Sequence, residues 1–349
     1  MATVVQFTRP GVVELAECAP MPLTAGAVRV RTLYSGISAG TELTAFRGTN
    51  PYLTRHWDAG RRLFTDGEPS FAYPVAGWGY SEVGEVVEAA DGVTAPAVGD
   101  VVYGIWGHRS EAVLPAAAVA GSQVPAGAQP LHGVFARVGA IALNGVLAAG
   151  TALGDRVAIF GQGVIGLLAT RLATLSGAEV LAVDAIAHRR CLATTMGAVH
   201  TIAADAPGGA GDAIRRLTGD AGVDSAIELS GSYRALHEAV RAVATDAVVV
   251  ASGFYQGEAS ALRLGEEFHH NRVQIVASQI GAVPIGLSRR WDHSRLNSVV
   301  MAQIASGALD VRPLVTDVLP ADQVADAFRV LDDGGAETLQ VVLTFGEQP

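Results

Sequence analysis

Residues 158–166 read AIFGQGVIG. An apolar run ends in a glycine turn and passes into an apolar helical pattern. Gly161, Gly163 and Gly166 form G-x-G-x-x-G, a weak signal alone. Here it follows a predicted strand and opens a predicted helix, which is the setting the motif requires. The physical task differs for each glycine. Gly161 makes the tight turn, Gly163 lets the backbone approach a pyrophosphate, and Gly166 lets the helix pack on its strand. Val164 and Ile165 begin the helix, whose unpaired N–H groups are offered to the phosphates. Asp184 ends the next predicted strand. An acid there accepts ribose hydroxyls and repels a 2′-phosphate, by about 4 kcal/mol for unit charges 4 Å apart at an effective dielectric of 20. NAD is therefore the expected cofactor. Arg189 keeps NADP open, since it either lies against the adenine, meets a 2′-phosphate, or covers a solvated helix face. The segments ELSGS and ASGFYQG end two later strands, so Ser230, Gly231, Gly253 and Phe254 are candidates for flanking the ribose and nicotinamide.

Working outward, the strand candidates VAIF (157–160), VLAV (180–183), VHTI (199–202), DSAIEL (224–229), AVVVAS (247–252) and VQIVAS (273–278) alternate with helical patterns. Six strands with crossovers imply a parallel, doubly wound sheet. Before residue 135 the pattern is short strands and turns, such as the alternating VRVRTL (28–33), and suggests a small barrel-like β domain. The stretch from Gly48 to Pro74 has no period. Its Arg55, Trp57 and Asp58 either line a substrate entrance or are held by the loop itself. After residue 280 the pattern predicts helices around 294–306 and 321–331, and a last strand in LQVVLTF.

The composition narrows the function. Half of the 349 residues are hydrophobic, 17% are charged and the net charge is −10, which argues against binding nucleic acid or anionic membranes. No signal peptide and no 18-residue apolar stretch is apparent, so a cytoplasmic protein with no membrane partner is expected. Two cysteines exclude a disulfide framework or a cysteine-rich zinc site. The chain contains no lysine, which removes Schiff-base chemistry and any tyrosine–lysine pair.

Beyond AIFGQGVIG and Asp184, the segments SGISAGTE (35–42), WGYSEVGEVVE (78–88), VGDVVYG (98–104) and the tail from ALDVRPLV onward resemble the medium-chain dehydrogenase/reductase superfamily. The resemblance covers nearly the whole chain. It implies an α/β architecture: a GroES-like β-barrel substrate domain (1–139 and 281–349) and a Rossmann domain with a six-stranded sheet (140–280). It also implies that a small-molecule substrate binds between them. Zinc-dependent members carry a cysteine where Ser38 stands here, and His-Glu where Tyr80-Ser81 stand. A third ligand ahead of the dinucleotide fold has no counterpart in 135–150. The expectation is therefore no zinc, as in the branch similar to bacteriochlorophyllide-type dehydrogenases.

Without a metal, a side chain must meet the developing oxyanion. Tyr80 is the first candidate, and a packed turn tyrosine is its competing reading. His108 is the second, able to relay protons or merely to be a bonded core histidine. Ser38 can donate a hydrogen bond, and Glu42 can pair with an arginine. Three functions stay open: hydride exchange with an alcohol/ketone pair, reduction of a conjugated C=C bond, and dinucleotide binding without turnover. The apolar sixth strand should form a sheet edge, which suggests a homodimer.

Overall fold

The computed structural model describes residues 1–346, in two compact units. One unit holds Met1–Arg137, Ile304–Ser306 and the chain from Asp310 onward; the other holds Val138–Gln303 and Gly307–Leu309. The first boundary falls two residues before the expected one. The second expectation needs correction, because residues 281–303 belong with the dinucleotide unit. The helix His293–Ala305 buries Leu296, Val300 and Met301, and Val300 packs directly over Gly139 of the dinucleotide unit.

The second unit is built on six parallel strands: Arg156–Phe160, Glu179–Asp184, His200–Ala203, Val223–Glu228, Val243–Ala251 and Gln274–Ala277. Their order across the sheet is third, second, first, fourth, fifth, sixth. The central strands are buried on both faces, which is why they read as unbroken apolar runs. Between them run the helices Val164–Leu175, Ala187–Thr195, Ala210–Leu217 and Tyr233–Ala242. Phe160, Leu181, Ile214, Leu236 and Val249 share one core cluster. The sixth strand lies at an edge of the sheet.

The first unit has an antiparallel sheet of Val12–Cys18, Ala2–Arg9 and Val75–Ala76, and a mixed sheet. In the mixed sheet, Val315–Pro320, Gln340–Thr344, Ala27–Gly36, Glu82–Ala89 and Val101–Gly104 are neighbours in that order, and Glu111–Pro115 also pairs with Ala27–Gly36. The two sheets are stitched where Val5 N–H donates to the His108 carbonyl at 2.8 Å and Val4 bridges to Arg109. Val315–Pro320 is a strand that sequence patterning did not single out. It is only half-buried, with alternate residues exposed.

Gly48–Pro74 is more ordered than its lack of period suggests. It holds a short hairpin, His56–Asp58 with Leu63–Thr65. Tyr52 packs on Phe64 and Phe71 at ring distances of 5.3 and 5.1 Å, and Phe71 packs on Trp78 at 5.4 Å. The loop is held by its own aromatic side chains. One further correction concerns apolar length. Pro130–Ala148 is 19 residues of helix with a mean hydropathy of 1.5, long and apolar enough to cross a membrane, yet most of it is buried inside the protein. It behaves as a core helix.

Candidate active site

The glycine loop shows why side chains are excluded there. Gly161 has a φ of +88°, and a Cβ on it would lie 2.8 Å from the Ser230 nitrogen. A Cβ on Gly166 would sit 1.8 Å from the Gly161 carbonyl oxygen. A Cβ on Gly163 would meet nothing within 4 Å, so the loop faces open space at that residue. Gly163 also caps the helix Val164–Leu175 with no side chain, leaving its first N–H groups unclaimed by a cap. Gln162 turns inward instead: its side chain donates to the Ile159 carbonyl and accepts from Thr170 Oγ1, both at 2.9 Å.

Beside this loop is a cavity of ≈ 460 Å³ whose lining includes Gly161, Asp184, Ile186, Arg189, Ser230 and Arg234. Asp184 is buried, and its two oxygens accept the Gln162 and Ile186 N–H groups at 2.6 and 2.7 Å. Each carboxylate oxygen has a second lone pair for a ligand. Arg190 donates to the Asp184 and Ala185 carbonyls, so it braces the turn while Arg189 faces the cavity. Val164, Ile165, Gly231, Gly253 and Phe254 lie outside the cavity lining. Asp184→Ala is expected to weaken NADH binding by roughly tenfold or more, through a lost charged hydrogen bond of about 1.5–3 kcal/mol, and to narrow the preference over NADPH. Isothermal titration with both cofactors checks it.

A second carboxylate organises the neighbouring strand ends. Glu228 accepts from Ser230 N–H at 2.8 Å, from the Ser230 hydroxyl, from Gly231 N–H at 3.1 Å and from the Tyr255 hydroxyl at 2.5 Å. Burial pushes the Glu228 carboxyl up, and these bonds oppose the shift. Glu228 thus ties the 230–232 turn to the segment carrying Gly253 and Phe254. Sequence reasoning missed it. The one available signal was an acid ending an otherwise apolar strand.

In the first unit, the expected donors come together. The Ser38 and Tyr80 hydroxyls share a hydrogen bond, and the Tyr80 hydroxyl reaches Thr41 Oγ1 at 3.5 Å. Burial pushes the Tyr80 phenol up and the Glu42 charge adds to it; hydrogen bonds to Ser38 and Thr41, and the charge of Arg137, work the other way. Tyr80 is therefore protonated at neutral pH and has a proton to give.

His108 does not join that pair. It is fully buried, with Nε2 2.6 Å from Glu42 Oε2 and Nδ1 2.6 Å from Ser35 Oγ. The Ser35 hydroxyl also lies 3.3 Å from Glu82 Oε1, and when it donates there Nδ1 donates to Ser35, the arrangement in which the ring carries both protons. Burial opposes that charge, but Glu42 and Glu82 outweigh it and hold the His108 pKa above its ordinary value. Its expected role as a direct proton relay is corrected on this ground: no edge of the ring is open. His108 supports the site from behind. Glu42 bonds Ser38 N–H at 3.1 Å through its other oxygen, which couples the support to the donor pair. Gly79 makes this packing possible, because a Cβ there would stand 2.9 Å from both His108 Cε1 and Glu82 Oε1.

Comparison with known proteins places these sites in context. The chain is 30% identical over 349 residues to D-guloside 3-dehydrogenase of Escherichia coli (strain K12), spanning 97% of this chain and 98% of that protein. The chain belongs to the medium-chain dehydrogenase/reductase superfamily. A family model described as zinc-binding dehydrogenase matches residues 164–293 of this dehydrogenase. Its fold is shared with 2R,3R-butanediol dehydrogenase from Bacillus subtilis, at a TM-score of 0.81, 18% identity and coverage of 99% and 100% of the two chains. It is also shared with an alcohol dehydrogenase from E. coli CFT073 solved with NADH, at a TM-score of 0.77, 19% identity and 99% coverage of both chains.

A zinc ion is what such a family description implies. The residues around Ser38 and Tyr80 do not fit one. Zinc takes thiolate, imidazole or carboxylate ligands, whereas this dehydrogenase presents two hydroxyls there, and its nearby imidazole is bonded through both nitrogens. Among the described residues, a grouping with ligand spacing occurs elsewhere, at His237, Glu266 and Glu267 of the dinucleotide unit. There Arg241 already pairs with Glu267 at 3.3 Å, which disfavours a second cation.

Proposed function

We propose that this dehydrogenase exchanges hydride between a nicotinamide cofactor and an alcohol/ketone pair of a polyhydroxylated small molecule, with protein groups in place of zinc at the reacting oxygen. The observation that carries the reading is the Ser38–Tyr80 hydroxyl pair, held by the buried Glu42–His108 pair at the position where zinc-dependent relatives place ligands. A relative that aligns along nearly the whole length is named D-guloside 3-dehydrogenase, which supports a sugar-like hydroxyl as the substrate class.

The cofactor supplies the hydride when bound. Gly163 leaves room for its pyrophosphate, the start of the Val164–Leu175 helix offers N–H donors, and Asp184 accepts from the ribose. Asp184 favours NAD over NADP by its charge, while Arg189 and Arg234 bring positive charge to the same cavity. In the ketone-reducing direction, Tyr80 donates a proton to the substrate oxygen, and Ser38 fixes the phenol's orientation. In the reverse direction the same hydroxyl pair receives the proton.

The test is a 340 nm assay of glycosides, polyols and their keto forms with NAD(H) and NADP(H), before and after exhaustive chelation. Turnover that survives chelation, and falls about 100-fold in Tyr80→Phe, is the expected result. Activity restored only by stoichiometric zinc would overturn the reading. The sheet-edge strand Gln274–Ala277 supports a homodimer, and gel filtration should give twice the chain mass.

A further inference from the structure

Arg137 carries a positive charge in the first unit. It lies in the first turn of the helix Phe135–Ala148 and is half-buried. Among the described residues its guanidinium has no hydrogen-bond acceptor and no carboxylate partner. Arg29, which is also partly buried in this unit, is by contrast paired with Glu88 and Glu111. Desolvating an arginine without an acceptor is costly, so an unpaired one beside a candidate site marks a place where a ligand supplies the missing charge.

Its placement follows from packing. The turn Pro130–Val134 buries Gly133 and Val134 against the two strands that lead into the donor pair. Val134 Cβ stands 3.2 Å from where a side chain on Gly36 would begin, two residues before Ser38. Val83 Cγ2 stands 2.7 Å from the corresponding point on Gly133, three residues after Tyr80. The helix therefore starts beside both donors. Arg137 and the Tyr80 hydroxyl act on each other electrostatically: burial lowers the arginine's pKa while Tyr80 opposes that, and Arg137 in turn pulls the phenol down.

We propose that Arg137 is a catalytic residue: its guanidinium binds the reacting oxygen of the substrate together with the Ser38 and Tyr80 hydroxyls, and supplies the positive charge that a metal provides in zinc-dependent relatives. This rests on the functional reading above. As the carbonyl carbon takes up hydride, the C=O π pair moves onto oxygen. The guanidinium N–H groups meet that charge, the oxygen takes the Tyr80 proton, and water reprotonates the phenolate. A planar fork of fixed donors suits an oxyanion better than a mobile ammonium.

The test uses the full-length chain with [13Cζ]tyrosine, the Tyr80 signal being assigned by its loss in Tyr80→Phe. Arg137→Gln should lower kcat by roughly 100- to 1,000-fold, as removal of one oxyanion donor does. It should also move the Tyr80 titration to higher pH, with melting temperature and NADH affinity unchanged. Arg137→Lys should restore part of kcat and return the Tyr80 titration toward wild type. A Tyr80 titration that does not move in Arg137→Gln, or a kcat within threefold of wild type, overturns the proposal. If the wild type turns over no alcohol or ketone, the functional reading fails on its own. In that case the Tyr80 titration still reports whether guanidinium and phenol are neighbours.

Discussion

Gly166→Ala should abolish measurable NADH binding at concentrations that saturate the wild type. The methyl would stand 1.8 Å from the Gly161 carbonyl oxygen, and both partners are backbone, so neither can rotate away. The loop must open, which displaces the start of the Val164–Leu175 helix and breaks the register of its N–H groups with the pyrophosphate. Overpacking of this kind costs about 1–3 kcal/mol of stability. The loss in affinity should be larger, on the order of 100-fold, because several donors move together. Gly163→Ala provides the contrast. A Cβ there meets nothing within 4 Å, so the protein should melt as the wild type does while the methyl occupies the space left for the phosphates. Calorimetric titration with NADH and a thermal melt separate the two cases. Wild-type affinity in both variants would show that this loop does not hold the cofactor.

His108→Ala should destabilise the first unit severely. The imidazole stands between Glu42 and Glu82 and all three are fully buried, so its removal leaves carboxylates facing each other without a cation. Breaking a buried pair in this way costs about 3–5 kcal/mol. For a unit of this size that is a fall in Tm on the order of 10 °C. The effect should depend on pH with a definite sign. The His108 pKa is raised in the fold, so its contribution is complete below the unfolded value of about 6.5 and fades as pH rises through the folded value. The Glu82 carboxyl, pushed up chiefly by burial, changes stability in the same direction. The gap in Tm between wild type and His108→Ala should therefore be widest near neutral or mildly acidic pH and shrink in alkali. A gap that grows with pH would mean that the ring is neutral in the fold.

The dinucleotide half was legible because its rules are local. Glycine spacing, an acid at a strand end and unbroken apolar runs each report one backbone requirement, and the sheet follows from their alternation. The first unit was harder for a physical reason. Its site is assembled from residues 35–42, 79–82, 108 and 137, and the bonds that matter run between these segments. Ser38 and Tyr80 stood out because their neighbours resembled a metal site with the ligands replaced. Glu82 and Glu228 did not, since an acid beside a turn reads as solvated until its burial is known. Arg137 was invisible for a related reason. In FARVGAIALNG it looks like the polar face of an amphipathic helix, and only its place beside Tyr80, with no paired carboxylate among the described residues, distinguishes it. The helix His293–Ala305 was placed in the wrong unit as far as Gln303, because periodicity reports which face is apolar but not which core receives it.

Asp184 carries a constraint on attempts to redesign the enzyme. The carboxylate that would discriminate between the two dinucleotides also rivets the turn at Gln162 to the turn at Ile186. Selectivity and loop integrity therefore share one side chain, and any change at 184 made for the first purpose loosens the second. Retuning toward a phosphorylated dinucleotide would have to begin at Arg189 or Arg234, which face the same cavity, with the rivet left in place.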